Sequence, residues 1–190
     1  MLSGATGQLY GSRNWRFDKG WDTGLNTPGV TELGYMKKLF AHRKWYDLIP
    51  DQTHIVTTAG YDPLSEYVGE LAAYLGSYQC PALVRRLFSH FKGLTHFGSI
   101  ATNTYSPTAR TFDGSLVITY LPNSRSVTID MSKLAAPAAA HWYDPTNGTY
   151  VLVAGSPFQN VNAREFSPQA HNSAGDGDWV LVLETRSRAD

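Results

Sequence analysis

Carboxylate side chains are the residues of this chain with the clearest potential for hydrolytic chemistry. Cleavage of a glycosidic bond typically uses two of them, about 5–5.5 Å apart when configuration is retained and about 6.5–9.5 Å apart when it is inverted. None of the acidic residues lies in a recognisable catalytic sequence context, and caps, turns and solvated helix faces account for most of them. The residues considered are Asp18, Asp22, Glu32, Glu66, Glu70, Glu165 and Glu184. We therefore expect the chain to have no hydrolase activity by itself.

Metal ligation is the second chemistry that the residue types allow. Oxygen atoms that could coordinate calcium belong to Asp144, Asn147, Asp176 and Asp178. A Gly-Asp-Gly-Asp sequence before a strand is nevertheless more typical of a turn. No pair of histidines has the H-x-x-x-H spacing that favours zinc. The histidines are His42, His54, His90, His96, His141 and His171. We expect no metal site and no cofactor, and the single cysteine, Cys80, excludes an intramolecular disulfide.

Aromatic side chains offer a third function, because a ring can pack in a core or contact a sugar. Trp142 and Tyr143 are neighbours in a predicted strand, where successive side chains point to opposite faces, so only one of them can face a given core. We expect Trp142 to be packed inside and Tyr143 to be partly exposed, where it could bind substrate. Together with Trp179, these rings could alternatively form a sugar-stacking platform.

Composition limits the partners of the chain. The 190 residues are 42% hydrophobic, enough for one sizeable core, and the 16 basic and 16 acidic residues give no net charge. A neutral chain without a basic run has no electrostatic reason to bind nucleic acid or an anionic membrane, and we expect neither partner. The N-terminal residues lack the basic start and apolar stretch of a signal peptide. No segment approaches the roughly 20 apolar residues of a membrane-spanning helix.

Short β-strand patterns dominate much of the chain. Runs rich in β-branched and aromatic residues are separated by turn pairs such as Asp113-Gly114 and Asn147-Gly148. The runs are 53–59, 115–121, 126–131, 138–144, 149–155 and 178–184. Their near-regular spacing predicts a mainly β fold, an antiparallel β-sandwich from about residue 53 to residue 190.

Two helical regions accompany these strands. Residues 27–48 begin with Thr27 as N-cap and Pro28 at the first helical position, continue with an apolar stripe at helical spacing, and stop at Pro50. Residues 62–97 predict a helical hairpin inserted between strands. Amphipathic helices of this length need a surface for their apolar faces, so we expect the insert to cover the sandwich or to mediate self-association.

Several stretches of the sequence resemble one family of enzymes. They are LSGATGQLYGSRNW (2–15), HRKWYDLIPDQ (42–52), TARTFDGSLVITYLPNSRSVTIDMSKL (108–134), HWYDPTNGTY (141–150) and HNSAGDGDWVLVLE (171–184). In this order they resemble the C-terminal end of bacterial apiosidase-like glycoside hydrolases, together with the β-sandwich domain that is usually appended there and labelled collagen-binding. The resemblance covers most of the chain except the helical insert.

The resemblance implies a division of the chain. The catalytic domain of that family is a (β/α)8 barrel, and residues 1–52 resemble its last strand (2–11) and last helix (27–48), followed by the sandwich at 53–190. The family's catalytic carboxylates lie on earlier strands, so no residue here is expected to inherit their role. Loops after barrel strands build the active face, and the candidates for a remaining substrate-facing edge are Gln8, Tyr10, Arg13 and Trp15. Gln8 departs from the family pattern, which commonly has histidine there, and the aromatic members could instead be packing residues.

The function that the resemblance implies is that of a non-catalytic accessory module, which would support a glycoside hydrolase barrel and could contact glycan. Two alternatives stay open. One is a structural or self-assembling extracellular protein that reuses the module, and the other is a collagen- or matrix-binding domain. The expected partners are accordingly glycan, a second copy of the chain or a separate barrel. The family resemblance also implies an extracellular or periplasmic location.

Overall fold

The computed structural model describes residues 2–4, 16–62 and 105–185, whose strands form two antiparallel sheets. The strands are β1 (Leu48–Pro50), β2 (Thr57–Ala59), β3 (Thr108–Thr111), β4 (Leu116–Leu121), β5 (Val127–Asp130), β6 (Ala138–Tyr143), β7 (Tyr150–Leu152), β8 (Ala163–Phe166) and β9 (Trp179–Thr185). Helix α1 (Pro28–Ala41) precedes them. Among these residues, no helix has the length and apolar character needed to cross a membrane.

The two sheets pack face to face around an apolar core. The larger sheet has six strands in the order β1-β3-β4-β9-β6-β7, and the smaller has three in the order β2-β5-β8. Alternate residues of β4 and β9, such as Val117 and Leu181, point into this core and are fully buried. They meet Val127 and Ile129 from the smaller sheet, which are also fully buried. The predicted mainly β, antiparallel β-sandwich is confirmed.

The opposite face of the six-stranded sheet carries a second apolar cluster. Ile118 and Val182 are cross-strand partners on β4 and β9, and Leu39 and Phe40 of α1 are buried in the same cluster. Because β4 and β9 are covered on both faces, their sequences are continuous apolar runs and not alternating ones. The six-stranded sheet is therefore the middle layer, between α1 and the smaller sheet.

Helix α1 ends earlier than the sequence suggests. Thr27 occupies the N-cap position and Pro28 the first helical position, as predicted. The chain leaves the helix at His42, passes through a 3-10 turn and enters β1, which pairs with β3. The expectation of a helix extending to residue 48 is wrong. Pro50 lies in an outer strand of the sheet, where the missing N–H of proline is tolerated.

Each predicted strand run contains an observed strand, but three strands were not predicted. These are β1, β3 and β8. Because β1 pairs with β3, the six-stranded sheet takes its first strand from upstream of residue 53. Residues 63–97 of the predicted helical insert and residues 5–11 of the predicted barrel strand lie outside the described residues.

Candidate functional site

A groove with a volume of about 660 Å³ lies between α1 and the six-stranded sheet. Its floor contains Ile118 and Val180 from β4 and β9, and its roof contains Leu33, Met36 and Phe40 from α1. The roof residues follow the spacing of one helical face. Phe40 is buried, whereas Leu33 and Met36 are only partly buried. The helix is therefore packed on the sheet at its C-terminal end, and the groove extends under its N-terminal half.

Polar contacts fix the C-terminal end of α1 on the sheet. Arg43, just after the helix, donates to both carboxylate oxygens of Glu184, at 2.9 and 3.0 Å, and to the hydroxyl of Tyr150 at 2.8 Å. The Tyr143 hydroxyl donates to the carbonyl oxygen of Tyr35 in the helix at 2.8 Å. Burial raises the pKa of Tyr143 to about 12, so this hydroxyl stays a neutral donor at neutral pH. These contacts hold the roof of the groove in place.

Asp178 and Asp176 form an acidic rim at the mouth of the groove. The Tyr120 hydroxyl donates to Oδ2 of Asp178 at 3.2 Å, and the side-chain amide of Asn172 donates to Oδ1 at 2.7 Å. Burial raises the pKa of Asp178 above its ordinary value, although the hydrogen bond from Tyr120 opposes the rise. Burial and the neighbouring Asp178 charge also raise the pKa of Tyr120. The rim thus places hydrogen-bond acceptors above an apolar floor.

Asp144 joins the two loops that build this rim. Its buried carboxylate accepts hydrogen bonds from the backbone N–H and hydroxyl of Thr146, at 2.9 and 2.6 Å, and from the Ser173 N–H at 2.8 Å. The side-chain amide of Asn147 donates to the Ser173 hydroxyl at 2.8 Å. Burial favours the neutral form of Asp144, but the hydrogen bonds outweigh this effect and lower its pKa below the ordinary value. Asp144 is therefore a structural anchor of the rim.

Replacing Asp144 by alanine should destabilise the fold in a pH-dependent way. At pH 7 we expect a loss of about 2–3 kcal/mol in the free energy of unfolding, because hydrogen bonds to a charged group contribute about 1.5–3 kcal/mol. A carboxyl with a lowered pKa stabilises the fold above its ordinary value of 3.8, and this contribution is lost as pH falls through the native pKa. The difference in the free energy of unfolding between wild type and Asp144→Ala should therefore become smaller as the pH falls below about 4.

The control for this comparison is Asp176→Ala, an exposed aspartate on the adjoining loop. We expect its free energy of unfolding to lie within about 0.5 kcal/mol of wild type at every pH. A gap between wild type and Asp144→Ala that stayed constant down to low pH would contradict the anchoring role of the carboxylate.

The structure corrects one expectation about the predicted site residues. Tyr143 is only 1% exposed, so its expected partial exposure is wrong, because α1 covers the face of the sheet to which its side chain points. Trp142 is buried in the other core, which confirms that the two neighbours face opposite sides. Tyr143 lines the groove, and its contact with substrate stays a prediction. The other candidates lie outside the described residues: Gln8, Tyr10, Arg13 and Trp15.

Of the side chains considered for calcium, Asp144, Asn147 and Asp178 accept hydrogen bonds from neighbouring residues of the fold. The side-chain oxygen of Asn172 accepts from the N–H groups of Ala174 and Asp176, at 3.1 and 3.0 Å, which is the turn alternative predicted for this stretch. In residues 16–62 and 105–185, no group of three or more His, Cys, Asp or Glu side chains is arranged to hold a metal ion.

Sequence reasoning missed the contact between Tyr120 and Asp178. These residues are 58 positions apart, and neither lies in a recognisable motif with the other. The pairing of β4 with β9 places Tyr120 opposite Val180, two residues after Asp178. Only a prediction of this strand pairing and its register would bring the two side chains together.

Comparisons with known proteins agree with this architecture. Residues 99–184, less than half of the chain, match the family described as "Putative collagen-binding domain of a collagenase". A solved structure described as "Glycoside hydrolase" is similar over 98% of this chain and 31% of its own, with 18% identity and a TM-score of 0.57. A glycoside hydrolase family 5 structure from Bacteroides vulgatus is similar over 99% of this chain and 32% of its own, with 18% identity and a TM-score of 0.56. No curated protein gives a significant match. The chain has a fold found in these hydrolase structures and spans about a third of their length.

Proposed function

We propose that the chain is a non-catalytic accessory module of a glycoside hydrolase and that it docks on the catalytic domain through the groove under α1. The proposal rests on the shares of the two chains that are similar in each structural comparison. Nearly the whole chain is similar to a part that makes up 31% or 32% of each glycoside hydrolase structure. The larger remainder of such a hydrolase is the natural place for a separate catalytic domain.

The lining of the groove supports docking of a protein surface. Leu33 and Met36 are only partly buried, and burial of apolar surface contributes about 25 cal/mol per Å² removed from water. The rim carboxylates of Asp176 and Asp178 favour a basic group at the edge of the partner, because complementary charge improves orientation and association rate. The occupant that fits is an apolar patch with a basic residue beside it.

The state of the carboxylates supports an accessory role over a catalytic one. A glycoside hydrolase needs one carboxyl group to protonate the leaving oxygen and a second one across the scissile bond. Both oxygens of Asp178 accept hydrogen bonds from side chains of the fold, and both oxygens of Asp144 are bound within the rim loops. These carboxylates are used to build the groove.

Leu33→Glu should abolish capture of the catalytic partner. The full chain is immobilised and incubated with the secreted proteins of its source organism, and the retained polypeptides are identified by mass spectrometry and assayed for glycoside hydrolysis. We expect wild type to retain a glycoside hydrolase. The variant should retain at least about tenfold less of it, because burying a carboxylate in an apolar interface is strongly unfavourable.

Lys37→Glu provides the matched control. This residue lies exposed on the same helix, outside the groove, and should leave capture unchanged. The proposal is contradicted if Leu33→Glu, with a native circular dichroism spectrum, retains a glycoside hydrolase as well as wild type does.

A second candidate function is binding to collagen or to another matrix protein. The match of residues 99–184 to a family described as collagen-binding favours it. Retention of the folded chain on immobilised fibrillar collagen, compared with albumin-coated beads, decides this point. Equal retention on both surfaces would dismiss collagen as the partner. Both functions are consistent with an extracellular or periplasmic location, which we propose for the protein.

A further inference from the structure

Strand β7 forms one end of the six-stranded sheet, and no described strand pairs with its outer edge. Its side chains are exposed on both faces of the sheet. The exposed fractions are 42% for Tyr150, 41% for Val151 and 58% for Leu152. An outer strand with apolar, exposed side chains is a template for pairing with another strand.

The backbone of β7 has hydrogen-bonding groups that point away from the sheet. The Thr149 carbonyl accepts a hydrogen bond from the N–H of the residue that follows β6, at 3.0 Å. The Val153 N–H donates to a carbonyl of β6, at 2.9 Å. Hydrogen-bonding direction alternates along a strand, so Val151 also faces β6. The N–H and C=O groups of Tyr150 and Leu152 therefore point outward, where a further strand would meet them.

The sequence around β7 lacks the usual protection of an outer strand. Residues 145–163 contain no Asp, Glu, Lys, Arg or His. Outer strands are commonly protected by lysine, by proline or by inward-pointing charges, and Tyr150–Leu152 has none of these. A neutral surface does not select a charged partner, and it does not repel its own copy.

We propose that two copies of the chain associate through β7, with the strands antiparallel about a two-fold axis at Val151. Tyr150 then lies opposite the partner's Leu152, and the outward N–H and C=O groups of both residues complete the hydrogen-bond ladder. Val151 meets the partner's Val151 on the other face of the sheet. The two six-stranded sheets become one continuous sheet. This association is a separate property from docking through the groove under α1.

The arrangement is self-complementary, as a two-fold interface requires. Aromatic–aliphatic and β-branched cross-strand pairs are each favourable by about 0.2–1 kcal/mol. Because the paired strand is only three residues long, the interface is small, and small interfaces belong to weak and transient complexes. We therefore expect association that depends on protein concentration.

Leu152→Pro is the sharpest test, because it removes an outward N–H without touching the bonds to β6. Proline is tolerated in outer strands whose N–H faces solvent. We expect sedimentation equilibrium of the full wild-type chain to show a monomer–dimer equilibrium, and Leu152→Pro to raise the dissociation constant by about tenfold or more with an unchanged circular dichroism spectrum. Val151→Lys is the second variant, because it places two like charges at the axis and should act in the same direction.

Two controls fix the interpretation. Phe112→Lys replaces an apolar side chain that is 82% exposed at the β3–β4 turn and should leave the dimer intact. Val151→Pro removes an N–H that faces β6 and should lower the free energy of unfolding, which verifies the direction of the backbone groups. A wild-type chain that stays monomeric at all concentrations, or a dimer that neither Leu152→Pro nor Val151→Lys weakens, would overturn the proposal.

Discussion

Asp51→Ala is expected to lower the free energy of unfolding by about 3–5 kcal/mol, the largest loss among the variants considered. Asp51 is 8% exposed and accepts three backbone hydrogen bonds. Its Oδ2 accepts from the N–H groups of Val56 and Thr57, at 2.9 and 2.8 Å, and both bonds are buried. Its Oδ1 accepts from the Ile55 N–H at 2.9 Å. Alanine would leave the two buried donors without an acceptor, and each such bond to a charged group contributes about 1.5–3 kcal/mol.

The position of Asp51 explains why the loss should affect the whole fold. Its own N–H donates to the Thr108 carbonyl of the six-stranded sheet at 2.8 Å, and Thr57 begins β2 of the smaller sheet. The turn after β1 therefore connects the two layers of the sandwich. Urea unfolding followed by tryptophan fluorescence measures the effect.

Two variants control the Asp51 experiment. Asp47→Ala removes an exposed carboxylate in the preceding 3-10 turn and should stay within about 0.5 kcal/mol of wild type. Asp51→Asn retains one acceptor oxygen and should fall between wild type and Asp51→Ala. If Asp51→Ala were as stable as Asp47→Ala, the carboxylate would not organise this turn.

Arg43→Met should lower the free energy of unfolding by about 2–3 kcal/mol and release α1 from the sheet. The Arg43 side chain is 12% exposed and binds Glu184 in a bidentate pair, which also places the guanidinium over the Tyr150 ring at 5.3 Å. Breaking a fully buried ion pair costs about 3–5 kcal/mol. The expected value is smaller because the Glu184 side chain is 37% exposed and therefore partly screened by water.

Helix release can be measured separately from global unfolding. Hydrogen exchange of α1 amides should accelerate in Arg43→Met more than exchange of β4 and β9 amides. Lys44→Met is the matched control, because Lys44 makes an exposed ion pair with Asp113 at 3.6 Å, and exposed pairs contribute about 0–1 kcal/mol. Equal losses for the two variants would show that the bidentate pair does not hold the helix.

Strands β4 and β9 could be predicted from the sequence because most of their side chains are apolar. The runs at β4 and β9 are buried on both faces and give strong β-branched patterns. Strand β3 was missed because the buried residue that it directs toward the smaller sheet is a threonine, Thr108. The hydroxyl oxygens of Thr57 and Thr108 lie 2.6 Å apart, and those of Thr108 and Thr119 lie 2.9 Å apart. Buried threonines that form hydrogen bonds with one another do not produce the alternating hydrophobic pattern by which a strand is predicted.

The remaining strands were missed for other physical reasons. Strand β1 is three residues long and contains Pro50, and proline argues against a strand unless the strand is at an edge. Strand β8 buries only Phe166 of its four residues, so it lacks the alternating pattern of a half-buried strand. In both cases, position in the sheet decides the structure, and local sequence does not show that position.

The groove could be predicted only in part. The helix over it was found from Thr27, Pro28 and the apolar stripe, and the side-chain alternation at Trp142 and Tyr143 was read correctly. The burial of Tyr143 was not foreseen, because a strand pattern does not show which faces a distant helix covers. Pairs such as Arg43 and Glu184 are 141 residues apart, and their contact follows from tertiary packing alone.

Hydrolysis of plant polysaccharides and chromogenic glycosides by the purified full chain tests the accessory role most directly. We expect reducing-sugar release equal to that of a protein-free blank on every substrate. Release that rises with protein concentration and disappears in Asp176→Asn or Asp178→Asn would contradict it, because the rim carboxylates would then be a catalytic pair.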